Sequence, residues 1–169
     1  NVAGRVDAKH MGDAAQPLHT TQHHHGWVGE NPKGYTTDKG IHSRIDGAVL
    51  SLHHLNYDTL KAGAAATPDA KPAGSPDAKP AGDEAPRVTD PQNPWGDVLT
   101  HLERSFAKVE PLYELQKSGD LDKEPGRAFI AERLRDGGAM LGDLYAAAWT
   151  LAEPGPKDVE DYLKYESKE

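Results

Sequence analysis

The chain contains no cysteine in its 169 residues, which excludes disulfides and thiolate metal ligands together. It has no apolar run approaching the ~20 residues that a bilayer-crossing helix needs. With a mean hydropathy of -0.74, no membrane-spanning segment is expected. Positive charge is scarce: 19 Lys and Arg stand against 27 Asp and Glu, for a formal net charge of -8. That balance argues against broad electrostatic attraction to nucleic acid or anionic lipid. A bound divalent ion can reverse the field locally, so a phosphodiester substrate stays open. An initiator methionine is also missing, and no charged-then-apolar leader follows Asn1. The expectation is a processed product, or the downstream part of a longer polypeptide, of single-domain size.

What is present is a run of oxygen and nitrogen ligands in the first third of the chain: Asp13, His19, His42 and Asp46. Zinc held without thiolates needs imidazole nitrogens and carboxylate oxygens, and this set offers two of each. His42 and Asp46 are four apart, so on a helix they project from one face, a turn apart. For the separate residues, a surface histidine or a helix ion pair is the ordinary alternative, and Asp13 has a competing role as a helix-end acceptor. His23, His24 and His25 read as a solvated loop from which one residue at most faces an ion. His53 is a candidate for supporting a ligand from outside. Trp27 and Tyr35 read as cover for the rim of the site, or as stacking surfaces.

Periodicity predicts an all-α architecture with no strand. Residues 1–16 read as the end of a helix closed by Pro17, and 17–40 as an irregular loop. A second helix is expected over about 40–62, with Ile41, Ile45, Ala48, Leu52, Leu55 and Thr59 toward the core. The composition then changes. PDAKPAG occurs at 68–74 and again at 76–82, and Pro, Ala, Gly and Asp at that density predict an extended linker. Order is expected to resume at Pro94. A helix carrying Trp95, Val98, Leu99, Leu102, Phe106 and Val109 follows, with a kink or restart at Pro111. A long helix is expected over about 127–152, in which Gly137-Gly138 suggests close packing. The predicted organisation is thus 1–63, bearing the ligands, 64–94 as a disordered insert, and 95–169 as the remaining helices of the same domain.

The strings GDAAQPLH (12–19) and IHSRID (41–46) together resemble the zinc-dependent phospholipase C/S1-P1 nuclease family. The resemblance rests on Gly12, Asp13, Gln16, Pro17, Leu18 and His19, then His42 and Asp46. Their spacings agree with the nuclease branch, and 131–149 looks like the family's closing helix. The resemblance implies an all-helical phospholipase C/P1 nuclease-like domain with its N-terminal part missing. It also implies up to three zinc ions, phosphodiester hydrolysis of nucleic acids or phospholipids, and a secreted or periplasmic location. Carried over, His19, His42 and Asp46 hold one zinc with a position left for water or substrate, and Asp13 bridges the other two.

Three departures accompany it. Lys9 stands where the family has a histidine, with His10 one step along and turned by about 100° on a helix. The leading Trp and the upstream His and Asp ligands are not in this chain. The loop at 26–35 reads GWVGENPKGY where the nuclease branch has Gly-Gly-Asn. Two functions from different classes therefore stand. One is a zinc-dependent, S1/P1 nuclease-like phosphodiester hydrolase, or the downstream chain of one completed by an upstream chain. The other is a non-catalytic helical metal-binding or assembly module derived from that family. No residue suggests itself as a separate general base.

Overall fold

The structure is a computed structural model, and it describes residues 8–65, 87–152 and 154–166. The repeats at 68–74 and 76–82, Asn1, and the side chain of Lys9 lie outside the described residues. The order is α1 (Ala8–Ala15), a 3-10 turn (Pro17–Thr20), α2 (Ile41–Ser43), a π-helical stretch (Arg44–Val49), α3 (Leu50–Leu52) and α4 (Tyr57–Ala65). After these come α5 (Trp95–Phe106), α6 (Val109–Ser118), α7 (Glu124–Leu151) and α8 (Pro156–Glu166). Among the described residues there is no strand, only an isolated bridge between His24 and Gly26, so the all-α expectation holds. No helix in them is long and apolar enough to cross a membrane.

The axis is α7, to which α1 is the most extensively packed neighbour. One apolar cluster lies beneath the 17–40 loop, where Leu18, Tyr35, Ile41, Ile45 and Val49 meet Leu112, Tyr113, Leu121, Phe129 and Ile130. A second joins Met11 and Ala14 of α1 to Val98, Met140, Leu144 and Ala147. The ligand-bearing segments, the 3-10 turn and α2 with the π-helical stretch, are anchored in the first cluster through Leu18, Ile41, Ile45 and Val49.

The predicted helix over 40–62 is corrected in two ways. It breaks at His53 and His54, where His54 takes a positive φ of 51°. A fresh helix is then nucleated by Asn56, whose Oδ1 accepts from the Thr59 N–H while Thr59 Oγ1 accepts from the Asn56 N–H, a reciprocal cap. The core face also differs: Ile41, Ile45 and Val49 are buried, whereas Ala48 and Leu52 are exposed. The widened turn of the π-helical stretch brings every fourth residue onto one face, and that favours 49 over 48. His53 gives its ring to the Leu121 carbonyl at 2.8 Å, so it ties α3 to the start of α7 and not to the ligands.

Other boundaries shift for identifiable reasons. Of the kink or restart expected at Pro111 the restart occurs: the proline sits in the first turn of α6, where a missing N–H costs nothing. Pro125 does the same for α7, which begins at Glu124 and not at Arg127. At the end of the predicted insert, Arg87 pairs with Asp136 at 2.9 Å and donates its N–H to Asp143 at 2.7 Å. Val88 is buried in the second cluster, so the packed chain includes 87–94.

The buried face of α5 is also corrected. Val98, His101 and Ser105 point inward, while Trp95, Leu99 and Phe106 are exposed. That rotation brings His101 to 3.5 Å from Asp136, beside Arg133 and Arg87. Neither ring nitrogen of His101 has a hydrogen-bond partner. Burial holds this imidazole below its ordinary value of 6.5, with Asp136 opposing the shift and Arg133 and Arg87 adding to it.

A pH dependence follows. Below pH 6.5 the unfolded chain takes up a proton that the folded chain refuses, so this contribution to stability is full above 6.5 and is lost as pH falls below it. Urea titrations between pH 7.5 and 5.5 should show a declining midpoint for the native chain, with a shallower decline for His101→Leu. Equal slopes would remove His101 from the account.

Candidate metal centre

Each ligand is positioned by a feature of local sequence. Pro17 cannot continue α1, and it forces Gln16 into extended backbone (φ -83°, ψ 115°). The chain then turns through a single 3-10 turn anchored by fully buried Leu18, and this delivers His19 to the surface. His42 and Asp46 come from α2 and the π-helical stretch, where buried Ile41 and Ile45, the residues just before each of them, fix the face.

The donors converge. His19 Nε2 lies 2.7 Å from His42 Nε2, and Asp46 Oδ2 lies 3.0 Å from His42 Nε2 and 3.6 Å from His19 Nε2. Among the described residues, these three offer ligand atoms all within 4.8 Å of one another. Donors about 2.0–2.1 Å from a tetrahedral zinc are separated by roughly 3.3 Å. The three edges bracket that figure, and opening the imidazole pair by about 0.6 Å completes the fit. The side chains remain partly exposed, 25% for His19, 21% for His42 and 44% for Asp46, so the group is open to solvent.

Outer contacts set the chemistry of the donors. His19 Nδ1 lies 3.1 Å from the Asp13 carbonyl oxygen. A carbonyl only accepts, so Nδ1 carries the proton and Nε2 keeps its lone pair for an ion. Gln16 donates from Nε2 to Asp46 Oδ1 at 2.9 Å, while its Oε1 accepts from the Leu18 N–H. One side chain thus closes the 3-10 turn and aims the carboxylate, a role the sequence pattern contained without revealing. Burial holds the His42 imidazole below its ordinary value, opposed by Asp46 and reinforced by His19, His25 and His24, so it favours the neutral form that binds metal.

Of the four predicted ligands, His19, His42 and Asp46 come together and Asp13 stays outside the group. Its carboxylate Oδ1 faces His19 Nδ1 at 3.6 Å, on the ring edge away from the other donors. His10 is exposed on α1. The three consecutive histidines divide. His23 Nδ1 accepts from the Val28 N–H at 3.0 Å, and its ring stacks on Trp27 at 3.9 Å, so it is a loop pin. His25 and His24 come within 5.4 Å and 6.3 Å of the His42 ring and form the rim.

Trp27 and Tyr35 are packing residues. The Trp27 Nε1–H donates to the Glu30 carbonyl, and Tyr35 is buried with its hydroxyl on Glu114 at 2.6 Å. The loop they brace turns at Gly26, with φ at +94° and Thr37 so close that a Cβ would sit 2.6 Å from its carbonyl carbon; no other residue fits there.

No family model, no curated protein and no solved structure matches this chain.

Proposed function

We propose that the chain is a zinc-dependent phosphodiester hydrolase of the S1/P1 nuclease type, or the downstream chain of one. The observation that carries this reading is the convergence of His19, His42 and Asp46 on one solvent-open point, with three protein donors and room for a further ligand. Three donors with an open position is the pattern of catalytic zinc, whereas structural zinc is closed by four. An ion there supplies Lewis acidity toward a phosphoryl oxygen and neutralises charge that develops on it. The chain's own residues hold and aim the donors: Asp13 through its carbonyl fixes the His19 tautomer, and Gln16 orients Asp46. The resemblance adds secretion or periplasmic location, and an upstream chain that completes the remaining zinc ligands.

The second reading is a helical metal-binding or assembly module without catalysis. Lys9 favours it by occupying the place of a further histidine.

Hydrolysis of bis(4-nitrophenyl) phosphate by the full chain separates the two. The enzyme reading expects turnover that is removed by dipicolinate, restored by zinc and absent in His42→Ala. Stoichiometric zinc without turnover, alone or with added upstream chain, would leave the module.

A further inference from the structure

Beside the three donors opens a pocket of about 370 Å³, with His19 and Asp46 at its mouth. Its walls include Gly12 of α1, Pro17 of the 3-10 turn, Ile45 of the π-helical stretch, Leu50 of α3, and Ile130 and Leu134 of α7. Cavities of about 150 Å³ accept benzene, so this one has room for a ring with a substituent or for a short branched chain.

The lining decides what kind of group fits. It is mostly aliphatic; the sole aromatic ring in it is the His19 imidazole, so it offers no broad aromatic face on which a nucleobase would stack. Two of its polar side chains are already committed. Gln16 is shared between Asp46 and Leu18. Arg133 lies in the wall at 9% side-chain exposure, with its terminal nitrogens on Glu132 and Asp136. That neutralised guanidinium does not recruit an anion.

Resting on the proposed zinc site, we propose that this pocket binds the uncharged organic group of a small phosphoester whose head lies at His19, His42 and Asp46. The substrate class is a phosphodiester bearing a compact aryl or branched alkyl group. A polynucleotide strand does not fit that description, and the net charge of -8 opposes one.

The test compares phenylphosphonate with methylphosphonate by calorimetric titration into the zinc-loaded full chain. The two heads are alike and only the apolar group differs. Burying the ring predicts binding tighter by about 10–50-fold. Two variants fill the pocket without touching a donor. Leu134→Trp acts from the partly exposed rim, and Gly12→Leu places a side chain where an added Cβ meets no atom within 4 Å. Either should bring phenylphosphonate down to the level of methylphosphonate, with zinc content and methylphosphonate binding unchanged.

Equal binding of the two probes to zinc-loaded chain would overturn the pocket and leave the metal site standing. Failure to load zinc would remove both. An oligothymidylate that binds more tightly than phenylphosphonate, and is indifferent to both variants, would overturn the substrate class in favour of nucleic acid.

Discussion

Replacing His42 by alanine is expected to lower zinc affinity by far more than 100-fold while leaving the helices intact. Loss of a partner that only orients a ligand costs about 10–100-fold, and His42 is itself a donor, central to the group at 2.7 Å from His19 and 3.0 Å from Asp46. Removing it leaves one imidazole and one carboxylate, too few to hold zinc at neutral pH. Gln16→Leu belongs in the same series and is expected to fall within the 10–100-fold range, because it releases Asp46 Oδ1 and the Leu18 N–H but removes no donor. Zinc titration against a competing chelator, with circular dichroism alongside, measures both. If His42→Ala binds zinc as the native chain does, the ion sits elsewhere. If Gln16→Leu matches the native chain, the aiming role assigned to its amide is wrong.

The second large effect lies at the crossing of α1 and α7. A Cβ at Gly137 would sit 2.9 Å from the Ala15 Cβ and 3.3 Å from the Met11 carbonyl oxygen, whereas one at Gly138 meets nothing within 4 Å. Gly137→Val is expected to destabilise by about 1–3 kcal/mol through overpacking. It should also weaken zinc binding, because α1 ends at Ala15 and carries Asp13 and the approach to Gln16. Gly138→Ala is expected to stabilise by about 0.5–1 kcal/mol, since an open helical glycine gains propensity and loses unfolded-state entropy. Urea denaturation decides it. Equal effects at the two neighbours would mean that α1 does not pack on α7 as described.

The close packing at this pair was legible from two helix-breaking glycines in a long amphipathic run, although sequence alone did not say which of the two makes the contact. The pairing of His42 with Asp46 was legible because it is local: a four-residue spacing keeps them together in either kind of helix, and Pro17 likewise stops α1 wherever the rest of the chain goes. The approach of His19 to that pair was implied only by the resemblance. Asp13 shows the limit of that argument. Its position in the string says nothing about which edge of His19 it faces, and that depends on the turn built by Gln16 and Leu18.

Hydrophobic periodicity failed where polar groups were buried. His101, Arg133 and Asp136 occupy the inside of α5 and α7, where Asp136 pairs with Arg87 and Arg133 and lies 3.5 Å from His101. The large aromatic residues Trp95, Tyr145 and Trp149 are exposed. No pattern of apolar residues announces an ion-pair cluster whose fourth member lies at the end of a Pro/Ala/Gly-rich stretch. The break at His53–His54 was missed for another reason. The apolar spacing carries through it, and the signal that contradicts it is an Asn56–Thr59 cap in the middle of the run.

The most direct test of the zinc centre is X-ray absorption at the zinc edge on the full chain loaded with one equivalent. A four-coordinate ion at about 2.0–2.1 Å with backscattering from two imidazoles is expected, and in His42→Ala that imidazole signal is lost together with the bound zinc. A six-coordinate shell without imidazole signal, unchanged by that substitution, would contradict it.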